Sequence, residues 1–275
     1  MNKTPFLLII LWLIGLNTHA QNGAKATQWD FQLGHENTRL LDRQNSPLIY
    51  VAHSAVIGTD FLRIKPQSVW GLSFSSAIGN SQAKRFGQRS VEFEDPNDIY
   101  GEHETYTVLG NPGLSYVQAS LGYSYQSKVA IGTQGFLLGC QLENEFFMSG
   151  IGLDTWFFNN LSLSPIVSTA FELSDGSRIP VSLSFPLVSY VVREPFGKDP
   201  SIPLNNYIEA NIETGASFAT LNKFQKIDFT IGYRRNWTSK WDIGLDYTFY
   251  WYQYNEPNEL NSYSNRVTIV LSKIN

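Results

Sequence analysis

The sequence predicts an all-β chain that closes on itself as an antiparallel transmembrane barrel of about twelve strands, with roughly ten to fourteen left open by its weaker segments. Three observations predict this. Apolar and polar residues alternate with a period of two through much of the chain. The alternating segments exceed the five or six residues usual in globular sheets. Aromatic residues gather near the segment ends, where a membrane barrel carries its girdles.

A period of two sends successive side chains to opposite faces of a pleated strand. In 206 to 218, Ile208, Ala210, Ile212, Thr214, Ala216 and Phe218 alternate with Tyr207, Glu209, Asn211, Glu213, Gly215 and Ser217. Ile227, Phe229, Ile231 and Tyr233 oppose Lys226, Asp228, Thr230, Gly232 and Arg234. Trp241, Ile243, Leu245, Tyr247, Phe249 and Trp251 oppose Asp242, Gly244, Asp246 and Thr248. Earlier, Val117 to Tyr125 alternate with Gln118 to Gln126, and Ile179 to Leu187 alternate with Pro180, Ser182, Ser184 and Pro186. Those prolines make the latter strand less regular. Weaker segments at 28 to 34, 47 to 57, 68 to 79, 129 to 144, 150 to 158, 162 to 173 and 264 to 274 complete the count.

Alternation alone also fits a soluble sandwich or a lipocalin-like barrel. Length decides for the membrane, because a tilted transmembrane strand needs about nine to eleven residues. The ten residues from Trp241 to Trp251 rise ~23 Å at a tilt near 45°, close to the apolar band of such barrels. Trp237, Tyr254 and Tyr263 are expected in the same girdles. Ser127-Lys128, Asn159-Asn160 and Thr238-Ser239-Lys240 read as tight turns on one side; 36 to 46, 80 to 114 and 253 to 263 read as longer loops on the other. The connection 193 to 205 breaks that alternation in a twelve-strand count.

Residues 1 to 20 read as a secretory signal: Lys3, the apolar run Phe6 to Leu16, and Thr18-His19-Ala20 before Gln21. The run is too short for an ordinary spanning helix. Residues 21 to 275 contain no Gly/Ser/Pro-rich linker and read as one domain. The net charge is −4 and falls by one unit with Lys3, which speaks against nucleic acid as a partner. Cys140 is the only cysteine, so no internal disulfide holds an exported chain together.

The signal, the long alternating strands and the aromatic rims resemble Gram-negative outer-membrane β-barrel proteins as a class, across most of residues 28 to 275. The chain departs from a common feature of that class, a terminal aromatic residue, because it ends Ser272-Lys273-Ile274-Asn275. The resemblance implies an outer-membrane location after cleavage near Ala20, with outer-membrane lipid around the wall.

With the apolar face toward lipid, the other face lines a lumen. It would carry Glu209, Glu213, Asp228, Arg234, Asp242, Asp246 and Arg266 as ligand candidates, with Asp154, Glu172 and Lys226 on the same face. A three-residue turn at 238 to 240 puts Arg234 opposite Gly244 and diagonal to Asp242 and Asp246, so an internal ion-pair network is expected there. Such pairs fill small barrels structurally. They also make a mainly acidic lumen that favours cations or polar solutes.

The leading expectation is a narrow pore or small-solute transport component, with 81 to 114 as its constriction. The rivals are an enzyme acting on envelope lipid and a structural barrel docking other envelope proteins. Outer-membrane lipid hydrolases place His and Ser two residues apart on one strand face, whereas His53-Ser54 are adjacent. No catalytic residue, metal ligand set or cofactor motif is identified; Cys140 is expected on the lipid-side stripe with Phe136, Leu138 and Leu142.

Overall fold

The computed structural model describes residues 26–84, 89–94, 105–110, 114–131, 134–151, 154–193 and 215–275. The expected signal, Glu209 and Glu213 lie outside them. In chain order the strands are β1 (Ala26–Asp42), β2 (Ile49–Ile64), β3 (Ser68–Ala83), β4 (Arg89–Glu94), β5 (Thr105–Gly110), β6 (Leu114–Ile131), β7 (Gln134–Ile151) and β8 (Asp154–Glu172). They continue with β9 (Arg178–Ser184), β10 (Val188–Arg193), β11 (Ala216–Thr220), β12 (Phe224–Thr238), β13 (Trp241–Tyr254) and β14 (Leu260–Ile274).

Each long strand pairs antiparallel with its neighbour, and β1 pairs with β14, so the first and last strands meet. The ring is completed at β9, which pairs with both β8 and β12. β9 and β10 run as one line along β8, broken at Phe185 to Leu187; Ser184 lies opposite Ile166 and Val188 opposite Leu163. Pro186 has no N–H for the ladder, and the Leu187 amide restores it by donating to the Leu163 carbonyl at 2.9 Å. β11 and β12 form a second broken line, interrupted at 221 to 223. Twelve segments therefore make a closed cylinder of ten lines, and β4 and β5, between β3 and β6 in the chain, pair with each other and, among the described residues, with no strand of the cylinder.

Two mergers separate ten lines from the expected twelve. The segments 150 to 158 and 162 to 173 are one strand, β8, because Asn159-Asn160 is not a turn. Asn159 exchanges amide hydrogen bonds with Asn144 of β7 at 3.2 Å, and Asn160 pairs in register with Glu145. The described end of 206 to 218 runs into the line of β12. Ser127-Lys128 is likewise strand, in β6 opposite Leu138 and Leu137. Paired polar side chains across a wide barrel wall imitate turn composition, and only the ladder distinguishes them.

The tight connections at 65 to 67, 173 to 177 and 239 to 240 fall at one end with Ala26, Ile131, Gln134 and Ile274. There Thr27 and Asn275 exchange backbone hydrogen bonds at 3.0 and 2.9 Å. Arg193 ends β10 and Ala216 begins β11 at the opposite end, so a count of ten lines removes the break in alternation that 193 to 205 posed in a count of twelve; 194 to 205 themselves lie outside the described residues. Strands of up to 19 residues leave only 43 to 48 and 255 to 259 as loops where longer ones were expected.

Trp29, Phe31, Leu33, Ile57, Leu121, Leu245 and Ile269 stand on the outer wall, all exposed. Ser54, Ser162, Ser264, Thr268 and the charged Glu36, Lys226 and Arg266 are enclosed. This inverts the globular rule and is the arrangement a lipid-facing wall requires.

Candidate functional site: a plugged lumen above a polar cavity

Ten strands about 4.8 Å apart, tilted near 40°, enclose a cylinder roughly 20 Å across, narrow enough for side chains to fill. The inward-facing residues fill it in layers. At the loop end the layer is apolar: Leu40, Val56, Tyr116, Phe147, Phe158, Val191, Phe224, Tyr252, Tyr254 and Leu260 form one buried cluster drawn from all around the wall. Phe158 and Tyr252 stack at 5.5 Å with rings 4° from parallel, and Phe224 and Tyr254 close on Phe158 at 6.2 and 6.4 Å. Their hydroxyls are satisfied at the edges, as buried tyrosines require. Tyr116 donates to Gln118 at 2.8 Å, and Tyr254 meets the Ser217 hydroxyl at 2.6 Å.

Arg193 caps this plug. It is 2% exposed, donates to the backbone carbonyls of Glu256 and Asn258 at 3.0 and 2.6 Å, and reaches Asp42 at 2.5 Å. One side chain of β10 thus holds the 255 to 259 loop and the end of β1 over the rings.

Below the plug lies a charged belt. Arg266 pairs with Glu36 at 2.6 Å and donates to Ser75 at 3.2 Å, while Thr38 donates to the other Glu36 oxygen at 2.8 Å. Lys226 is shared by Glu143, Glu145 and Asp228 at 2.7, 2.9 and 3.2 Å, and Gln118 donates to Glu145 at 2.6 Å. Enclosed charges of this kind persist only when paired and hydrogen-bonded.

Toward the terminal end Arg234 grips Asp246 with both terminal nitrogens, the second contact at 2.6 Å, and Arg178 pairs with Asp242 at 2.9 Å. Asp30 accepts from Gln28 at 2.8 and 3.0 Å, and Asp60 from Gln32 at 2.6 Å.

Within these layers sits a cavity of about 350 Å³. Hydroxyls of Ser73, Ser75, Ser120, Ser124, Ser168 and Ser182 line it, with Gln126 and Gln141 among them. Its charged lining is Asp60, Glu143, Asp228 and Asp246 against Arg266.

The lumen candidates read from the sequence divide accordingly. Asp228, Arg234, Asp242, Asp246 and Arg266 all project inward, and Arg234 stands opposite Gly244 in the ladder. Asp242, however, pairs with Arg178 of β9, reaching over the intervening β12, instead of with Arg234. Glu172 is exposed at the terminal rim, opposite Arg178. Tyr254, expected in an outer girdle, is 3% exposed inside the plug; it shares the inward parity of Tyr250 and Tyr252. His53 is exposed and Ser54 enclosed, on opposite faces of β2. Cys140 lies on the outer stripe between Leu138 and Leu142.

Of the 81 to 114 segment, expected as a constriction, 81 to 83 end β3, and 89–94 with 105–110 make the separate β4 and β5 pair. Among the described residues, the side chains that close the lumen belong to the wall; 85–88, 95–104 and 111–113 lie outside them. Glu36, Asp60, Glu143, Glu145, Arg178 and Arg193 were missed because the expected strands stop short of most of them. Carrying each alternation a few residues further would have placed Glu36, Asp60 and Glu145 inward.

A closed antiparallel cylinder with an aliphatic outer wall and a charge-paired interior defines the class: the chain has the fold of a Gram-negative outer-membrane β-barrel. No family model matches the chain, and no curated protein matches it in sequence. Among solved structures it is similar to the outer membrane protease OmpT of Escherichia coli, at 7% identity and a TM-score of 0.51, covering 94% of this chain and 99% of that one. It also matches the transport unit of the autotransporter AIDA-I of Escherichia coli, at 10% identity and a TM-score of 0.41, over 94% and 93% of the two chains. A third match is an outer membrane channel of Pseudomonas putida F1, at 7% identity and a TM-score of 0.39, over 94% and 98%. At such identities the similarity is one of fold.

Proposed function

We propose that the protein is a gated small-solute component of the outer membrane, exported with cleavage near Ala20 and oriented with its short turns in the periplasm. The observation that carries this reading is the vertical order of the lumen: an aromatic plug, then a charged belt, then a polar, mainly acidic cavity that reaches from that belt toward the terminal end. Solute entering from the terminal end would meet hydroxyls and carboxylates, then stop at Phe158, Phe224, Tyr252 and Tyr254. A desolvated apolar constriction excludes ions and water until its rings move. The Arg193 clasp is the element that would have to release. Catalysis at His53-Ser54 finds no support, since the two side chains leave β2 in opposite directions.

Planar-bilayer recording tests the reading. The native barrel should be closed at low voltage, and a Phe158→Ala/Tyr252→Ala barrel should give steady unitary conductance. A folded double variant that stays silent, or a native barrel that conducts freely, would remove the plug as the gate.

A further inference from the structure

We infer that the cavity beneath the belt is a binding site for one small hydroxyl-rich organic cation, an amino-polyol of monosaccharide size. This rests on the gated-solute reading for its route of entry, but not for its chemistry.

Charge comes first. The lining holds Asp60, Glu143, Asp228 and Asp246 against one guanidinium, Arg266, and that guanidinium is committed to Glu36 and Ser75. Arg234 and Lys226 are committed as well, to Asp246 and to the Glu143, Glu145 and Asp228 group. The wall has therefore spent its cations and still carries carboxylate in excess. An anion would meet that excess as repulsion, and a neutral solute would leave it uncompensated.

Unsatisfied groups come second, and they are independent of the charge count. Gln126 lines the cavity, is 7% exposed, and its amide nitrogen has no acceptor while its oxygen takes the Ser168 hydroxyl at 3.2 Å. Asp228, also on the lining, leaves one carboxylate oxygen without a donor. Enclosed polar groups are seldom left so unless something not built from the chain completes them. An acceptor for Gln126 and a cationic donor for Asp228 are what a hydroxyl and an ammonium on one molecule supply.

Size and lining complete the assignment. About 350 Å³ lies at the lower end of small-molecule pockets, room for one compact solute and not for a peptide or an acyl chain. Serine hydroxyls from β3, β6, β8 and β9 offer paired donors and acceptors, the chemistry that recognises a polyol. A metal ion fits less well, because among the described residues no three His, Cys, Asp or Glu side chains are grouped to hold one.

Isothermal titration of the detergent-folded barrel with D-glucosamine, beside D-glucose, tests the site. Glucosamine should bind at least tenfold more tightly than glucose. Asp60→Asn/Asp228→Asn should weaken glucosamine at least tenfold while leaving glucose unchanged. Should that variant not fold, Ser124→Ala/Ser182→Ala, which leaves every charge in place, should weaken both sugars together. No heat with glucosamine, equal binding of the two sugars, or binding untouched by a folded variant would overturn the site. These outcomes separate from the gate. A Phe158→Ala/Tyr252→Ala barrel that conducts while glucosamine fails to bind leaves the gate standing without the site; a silent one with glucosamine bound leaves the site without the gate.

Discussion

Glu36 is 0% exposed and its two oxygens are taken by Arg266 and Thr38. Removing the cation alone strands an enclosed carboxylate, so Arg266→Met is expected to lower folding stability by about 3–5 kcal/mol, whereas Glu36→Gln/Arg266→Met should recover much of that loss. Urea unfolding from lipid vesicles, followed by tryptophan fluorescence, measures both. Outside the wall, in the 173 to 177 turn, the Ser177 hydroxyl and amide donate to Asp175 at 2.5 and 3.0 Å and hold its carboxyl below the ordinary value. A depressed carboxylate stabilises the folded turn above its unfolded pKa, and that contribution is lost as pH falls through the folded one. In Ser177→Ala the Asp175 titration should move up toward the ordinary carboxylate range, read by carbon-detected NMR. An unmoved titration would show that Ser177 is not its cause.

At the scale of elements, the β12 to β13 hairpin carries its ion pair over bare backbone. A methyl group at Gly244 would lie 2.2 Å from the Tyr233 carbonyl oxygen and 2.6 Å from the Arg234 side chain, and one at Gly232 would meet Asp246. Gly244→Ala is therefore expected to cost about 1–3 kcal/mol, seen as a lower urea midpoint at constant slope. The pairing of this hairpin is legible in the sequence alone, because alternation plus a short turn at 238 to 240 determines which residues face one another. The broken lines are not. Pro186 interrupts the ladder between β9 and β10, and whether the chain turns there or resumes depends on β8 receiving the Leu187 amide. Tyr254 misleads for a different reason: polar-inward alternation fails once the inner face itself turns aromatic, as it does from Tyr250 upward.

The whole molecule is organised around a wall that meets lipid outside and paired charge inside. Leu33 and Ile269, at 63% and 58% exposure, lie midway along their strands. Leu33→Lys or Ile269→Lys is expected to cost about 2–4 kcal/mol in bilayers, while Gln82→Lys, near the loop end, should cost about 0–1 kcal/mol. Equal costs at the three positions, by the same vesicle unfolding, would mean that this wall does not cross a membrane.

What the sequence determined by itself is local: the two faces of the regularly alternating strands, the hairpin register around Gly244, and the inward parity of Asp228, Arg234, Asp242, Asp246 and Arg266. Each follows from a two-residue period acting over neighbours. Only the tertiary structure decided the rest, since Glu36 meets Arg266 across 230 residues and Arg193 meets Asp42 across 151. Closure of the ring chooses those partners, and no periodicity within a strand encodes which distant strand will stand opposite. The plug, the belt and the cavity exist only once the cylinder brings those faces together.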